Sequence, residues 1–247
     1  MATVRPLQLS PLPFGVPLFR ALVDVHGAHR APDLYRRIVA RVGEAPGEEI
    51  GHGGHGVVYQ LPSGRVMKVT WDTVEIDAMT ALKGVVHSNV VHVYDVFVVR
   101  SNGSGGVGVV VRDKPDKVLR DFDPEVSRFI ETASDAAYDA FEKELRITRN
   151  RPHSLRHAMA ALMTHLFEEG TRTSEHLLWD IAEGIAELGR IGVYGINFHG
   201  RNIGVDTQGD RPRAVIFDFG RVAAPKKSVS LVGREAVSWF EFFRGDE

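Results

Sequence analysis

The chain has 247 residues, 43% hydrophobic and 25% charged, which excludes a disordered protein and provides for one large domain or two lobes with a sizeable core. A formal net charge of -2, with acidic and basic residues balanced along most of the chain, leaves no electrostatic footprint for nucleic acid. The absence of cysteine excludes disulfides, thiolate zinc sites and a cysteine nucleophile, so a reducing, cytoplasmic setting is expected.

The opening stretch MATVRPLQLSPLPFGVPLFRALVDVHG is broken by Pro6, Pro11, Pro13 and Pro17. It contains neither a signal-peptide core nor a membrane-length apolar run, so the expectation is a soluble, unprocessed chain without membrane attachment. APDLYRRIVARVG predicts a short amphipathic helix with Leu34, Ile38 and Val42 on one face and Gly43 as its stop. Residues 1–45 are therefore expected to form a helical N-terminal extension.

From Glu49 the pattern changes to short β-type runs, GVVYQL, RVMKV, VVHVYDVFVV and GVGVVV, separated by the turn signals PSG and SNGSGG. One helix interrupts them, DTVEIDAMTALKG, with Val74, Met79 and Leu82 apolar and Gly84 ending it. After Asp121 the chain becomes helical. Asp123 and Pro124 predict a cap and first position for PEVSRFIETASDAAYDAFEKELRI, and SLRHAMAALMTHLFEEG is expected to stop at Gly170. SEHLLWDIAEGIAELG places Leu177, Ile181, Ile185 and Leu188 at helical spacing, so one face is buried. A hairpin follows, NIGVD and AVIFDFG around TQGDRPR. The expected class is α+β, with a small β-rich lobe over 46–116, a helical lobe over 117–247, and any ligand in the cleft between them. No internal repeat is present.

Gly51, Gly53 and Gly56 form GxGxxG, followed by Val58, a pattern that lets backbone amides approach a polyphosphate with no Cβ in the way. A dinucleotide-binding unit would need the last glycine to open a helix, whereas VVYQL reads as a strand; no GK[ST] pair supports a P-loop. Lys68 lies inside the apolar run VMKV, where an unpaired ammonium is costly to bury. Glu75, opening the next helix, is its candidate partner. Asp218 closes the strand VIFDFG, a good place for a carboxylate that holds magnesium, and Asn202 ahead of the hairpin offers a neutral oxygen ligand.

Together these segments resemble the protein kinase superfamily, in the family's order and over about 170 residues. The resemblance implies a bilobal kinase-like fold, ATP and Mg²⁺ as cofactors, and a protein substrate or partner. Gly51, Gly53, Gly56 and Val58 resemble the loop over the ATP phosphates, Lys68 the lysine on the α- and β-phosphates, and Glu75 its ion-pair partner. The catalytic HRDxxxxN pattern falls on Gly195, Ile196, Asn197 and then Asn202, and DFG on Asp218, Phe219 and Gly220. Asn202 and Asp218 are then the implied magnesium ligands. His199 occupies the place from which the family's lysine contacts the γ-phosphate, and NFHGRN is similar to the D-[LF]-H-x-x-N form of compact kinase-like proteins of bacteria and phages.

Three departures qualify the resemblance. Gly195 and Ile196 replace the histidine and arginine of the catalytic motif, so control through a phosphorylated activation loop is not expected. RVAAPKKSVSLVGREAVSWFEFFRGDE contains no APE motif, which implies a reduced peptide platform, replaced by the N-terminal extension or by helices between Asp123 and Gly170. Asn197 stands where the family has its catalytic aspartate, and an amide cannot act as a base near neutral pH. The functional expectation is an ATP/Mg²⁺ phosphotransferase, with a serine or threonine acceptor, impaired at Asn197, whether that asparagine is natural or introduced. The alternatives are a nucleotide-binding pseudokinase acting as regulator or scaffold, and a small-molecule kinase of the aminoglycoside type, whose HGD motif HGRN matches only superficially. His52 with His55 and His87 with His92 are read as solvated loop histidines rather than zinc ligands.

Overall fold

A computed structural model describes residues 17–53, 56–101, 104–195 and 198–218. The chain is α+β, with seven helices and antiparallel sheets among the described residues. It divides into two compact units, one formed by the described part of Met1–Trp71 with Phe97–Val111, the other by Asp72–Val96 with the described part of Arg112–Glu247.

Unit one begins with α1 (Pro17–His26) and α2 (Ala31–Val42), then β1 (Glu49–Gly53), β2 (Gly56–Gln60) and β3 (Val66–Thr70). It also takes in most of β4 (Val93–Ser101) and β5 (Ser104–Arg112), and the five strands are ordered β1-β2-β3-β5-β4. α2 ends as its sequence predicts: Gly43 adopts φ 83° and donates its N–H to Val39. α1 is not marked by its sequence as clearly, because it lies within a proline-rich stretch; Pro17 itself opens the helix.

Both helices are built into the core of the sheet. Leu18, Phe19 and Leu22 of α1 and Leu34, Tyr35 and Ile38 of α2 join Tyr59, Met67, Val69, Val99, Val107, Val109 and Val111 in one hydrophobic cluster. The strand members share odd numbers, as the two-residue period of a strand requires for a single face. Val66, Lys68 and Thr70 therefore point to the other face, and β3 is buried on both. Below the β2–β3 turn, the Glu44 carboxylate accepts bonds from the Ser63 N–H (3.0 Å), the Ser63 hydroxyl (2.8 Å) and Arg65 (2.8 Å), fixing the turn to the segment after α2.

Unit two contains α3 (Thr73–Leu82), β6 (Lys117–Val118), α4 (Leu119–Phe122), α5 (Pro124–Thr148), α6 (Arg151–Thr173), α7 (His176–Arg190), β7 (Ile203–Asp206) and β8 (Arg213–Ile216). The Asp72 carboxylate caps α3 by accepting the Val74 N–H at 2.9 Å. In its first turn Val74 is exposed, and Glu75 is buried with Met79 and Leu82. The segment after α3 belongs to this unit because it is bonded to β8. Val91 donates to Ile216, Ile216 donates to Asn89, and the Asn89 side-chain amide donates to Ala214 at 3.1 Å.

Asp123 and Pro124 start α5 as read from the sequence, the carboxylate accepting N–H groups of Glu125 and Val126. α6 does not stop at Gly170 but continues to Thr173, where Ser174 caps it at φ 58°. Gly170 is a packing position instead, since a Cβ there would lie 2.7 Å from the Trp179 ring. α6 packs on both α5 and α7, and α7 on β8. The predicted stripe of α7, Leu177, Ile181, Ile185 and Leu188, is buried. The expected hairpin is β7–β8, with Ile203 opposite Ile216 and Asp206 opposite Arg213, and β6 adds a third strand to it. Asp180 of α7 holds the hairpin, accepting two bonds from Arg211 (2.9 and 2.8 Å) and one from the Ala214 N–H (3.0 Å). Among the described residues no helix is long and apolar enough to cross a membrane.

Candidate functional site

In unit one the predicted phosphate-binding residues occupy a single hairpin and its neighbour. Gly51 and Gly53 lie on β1, Gly56 and Val58 on β2, and Lys68 on β3 directly opposite Val58. Cross-strand partners project to the same side of a sheet, so Val58 and Lys68 share the face turned away from α1 and α2. Lys68 is 8% exposed.

The three glycines differ in what demands them. A Cβ on Gly56 would lie 2.5 Å from the Val69 carbonyl oxygen, so the β2–β3 pairing itself requires glycine there. Around a Cβ at Gly51 or Gly53 none of the described residues lies within 4 Å, and neither glycine has a positive φ. Neither packing nor backbone conformation calls for glycine at these two positions. They leave the hairpin backbone accessible, which is what amide contact with phosphate oxygens needs.

In unit two the candidate metal ligands are brought together by main-chain bonds. The Asn202 carbonyl oxygen accepts the N–H of Phe217 at 3.1 Å and of Asp218 at 3.3 Å, and the Asn202 N–H donates to His199 at 2.8 Å. The loop carrying His199 and Asn202 is fixed from beneath. Phe198 is buried and donates its N–H to the Ser134 hydroxyl of α5 at 3.0 Å. Gly200 sits so close to α5 that a Cβ would approach the Ser127 Cβ to 2.7 Å, and its carbonyl accepts the Arg120 N–H at 3.1 Å. His199, Asn202 and Asp218 are all half-buried, held firmly at the backbone yet reachable.

Glu75 is 5% exposed, and a buried carboxylate requires a compensating cation. Within the same unit Arg112, at the end of β5 and 3% exposed, supplies a positive charge that interacts favourably with Glu75. Burial pulls the pKa of its guanidinium down, while Asp218, Glu75 and Asp113 hold it up. An arginine remains protonated throughout the working range of a protein, so this is a permanent buried positive charge. The guanidinium lies 4.8 Å from the centre of the Phe217 ring and donates to the Asp113 carbonyl at 2.9 Å. Sequence reasoning missed Arg112, which closes the apolar run GVGVVVR where Lys68 lies inside one, VMKV.

Asn197, Phe219 and Gly220 lie outside the described residues, as do Ile196 and His55. Among the described residues no three histidine, aspartate or glutamate side chains converge as a metal site. The Asn202–Asp218 pair nonetheless fits magnesium in kind, because both offer hard oxygen donors and magnesium characteristically takes one or two protein ligands beside phosphate oxygens and water. The remaining histidines have local roles. His87 accepts the Asn89 N–H at 3.1 Å, His92 stacks edge-on against Tyr94 with centroids 4.6 Å apart, and His52 meets Glu49 at 3.0 Å. Compared with known proteins, the chain matches no protein-family model and no curated sequence.

Proposed function

We propose that the chain is an ATP- and magnesium-dependent phosphotransferase of the protein-kinase type, bilobal in fold, acting on a serine or threonine hydroxyl of a protein in a cytoplasmic setting and impaired by Asn197. The observation that carries this reading is the pair of hydrogen bonds that the Asn202 carbonyl accepts from the N–H groups of Phe217 and Asp218, which joins the backbones of the two candidate ligands. The hairpin of unit one supports it independently, with Lys68 opposite Val58 and two glycines that the fold does not demand.

In this reading, ATP supplies the γ-phosphoryl group and magnesium offsets the charge of the phosphates. Lys68 binds the α- and β-phosphates, and the amides around Gly51 and Gly53 approach the phosphate oxygens. Asp218 and Asn202 hold the cation, and Glu75 supplies the carboxylate that the family resemblance pairs with Lys68. His199, anchored through its carbonyl to the Asn202 N–H, takes the part that the family resemblance gives to the residue contacting the γ-phosphate. The acceptor hydroxyl must lose its proton, and Asn197 cannot take it. Loss of a general base costs about 10²- to 10⁴-fold, while positioning and electrostatic stabilisation persist.

Asn197 also supports a second reading, a pseudokinase that binds nucleotide as a regulator or scaffold. Thermal denaturation with and without ATP and Mg²⁺ tests what the two share: stabilisation is expected for the chain as it stands and lost in Lys68→Ala. No nucleotide-dependent stabilisation at millimolar ATP contradicts both. Phosphoryl transfer by the Asn197→Asp variant separates them, since only the enzyme regains turnover.

A further inference from the structure

We propose that Arg112 is a resident counter-cation of the candidate metal site, neutralising Asp218 before a divalent cation arrives and thereby setting how tightly that cation is held. The inference rests on the metal role assigned to Asp218 and adds a positioning residue to it.

A guanidinium this deeply buried is placed by its surroundings and not by chance contact with solvent. It spreads over the Phe217 ring at 4.8 Å, and Phe217 immediately precedes Asp218. Phe217 is also one of the two residues whose N–H groups bond to the Asn202 carbonyl. The stack therefore bears on the short segment that fixes both candidate ligands. One donor of Arg112 is tied to the Asp113 carbonyl at 2.9 Å, which holds the group in place, whereas its buried Nε–H has no hydrogen-bond partner among the described residues. The favourable charges around it are Asp218, Glu75 and Asp113.

Such an arrangement has a definite consequence for metal binding. With the carboxylates already neutralised, the site does not need a metal to be stable, and an arriving dication meets a fixed positive charge in a poorly screened interior. Affinity for the bare cation is then low, and the added negative charge of the phosphates is what makes binding favourable. Arg112 thus ties the metal to the nucleotide: the cation enters with phosphate or hardly at all.

The test uses Mn²⁺ alone, titrated by calorimetry and by thermal denaturation into metal-stripped full-length chain, Arg112→Met and Arg112→Lys. Arg112→Met removes the charge and keeps much of the stem. It is expected to melt lower in chelator, to regain that loss on addition of Mn²⁺, and to bind Mn²⁺ at least about tenfold more tightly than the unsubstituted chain. Arg112→Lys, which keeps the charge but loses the planar stack, should retain the weak Mn²⁺ affinity, a result that a purely structural role for Arg112 does not produce. Equal Mn²⁺ affinity in all three proteins, or weaker binding by Arg112→Met, overturns the counter-cation role and leaves the phosphotransferase reading standing. If Arg112→Met does not fold even with Mn²⁺ present, the idea that metal can replace the guanidinium is wrong. No Mn²⁺ response in any of the proteins, with or without ATP, removes the metal role of Asp218 and overturns the inference together with the reading beneath it.

Discussion

The glycine hairpin allows folding and ligand binding to be separated by single methyl groups. In Gly56→Ala the new Cβ would sit 2.5 Å from the Val69 carbonyl oxygen, a backbone atom paired within the β2–β3 ladder. A carbon and a carbonyl oxygen require over 3 Å, so either the strand moves or the ladder loosens. Overpacking of this kind costs about 1–3 kcal/mol, equivalent to roughly 2–4 °C in melting temperature per kcal/mol for a chain of this length. In Gly51→Ala and Gly53→Ala the methyl group meets none of the described residues within 4 Å. Those variants should keep the parent stability to within about 0.5 kcal/mol, with a small gain possible from reduced freedom of the unfolded chain. The comparison is made by denaturation of all three variants with and without ATP and Mg²⁺. Gly56→Ala is expected to lose stability in both conditions, whereas Gly51→Ala and Gly53→Ala lose only part of the nucleotide-dependent gain. A Gly56→Ala midpoint equal to that of the parent, or equal damage at all three positions, refutes the division of roles.

Asp180→Ala should destabilise the chain by about 2–4 kcal/mol in chemical denaturation, because it strands the buried Ala214 N–H and releases the β7–β8 hairpin from α7. Arg211→Ala should cost about 1–3 kcal/mol, less than Asp180→Ala because Asp180 keeps the Ala214 N–H, but more than a surface pair because the carboxylate it leaves is buried. Gly170→Ala is expected to shift the fluorescence of Trp179 and lower stability by about 1–3 kcal/mol, as its Cβ would meet the indole ring at 2.7 Å. Acid should weaken both units through particular carboxylates. Burial raises the Glu44 pKa, but the Ser63 hydroxyl and N–H and Arg65 outweigh it and leave the group low. The Thr207 N–H first, then Gln208, the Thr207 hydroxyl and Lys117, hold Asp116 low against the opposing effect of burial. Both pKa values are lower folded than unfolded, so the stability they confer is complete above the ordinary carboxylate value of about 4 and lost as pH falls below it. Glu44→Gln and Asp116→Asn should each flatten stability against pH in that window.

Local signals in the sequence carried most of the secondary structure. Gly43 as a left-handed stop, Asp123 with Pro124 as a cap, and the four-residue stripe of α7 each act through a few neighbouring atoms. What escaped depends on distant partners. Gly170 looks like a helix stop until Trp179 is placed against it, and the true stop is Ser174 in a left-handed conformation that serine does not advertise. The sequence marks Glu75 as the partner of a cation but does not mark the buried Arg112, 37 positions further along the chain, whose charge Glu75 also favours. The candidate site was legible as residue types in order. Only the folded chain supplies the Asn202 bridge to Phe217 and Asp218, the fixing of Phe198 and Gly200 on α5, and the distinction between one glycine the fold needs and two it does not.

The most direct measurement is transfer of labelled phosphate from ATP in the presence of Mg²⁺, to the chain itself and to a general protein acceptor, by the parent chain and by Asn197→Asp. The account predicts incorporation by Asn197→Asp at a rate about 10²- to 10⁴-fold above that of the parent, abolished in each case by Asp218→Asn. Absence of incorporation by Asn197→Asp at any enzyme concentration, in a protein that is folded and stabilised by ATP, contradicts it.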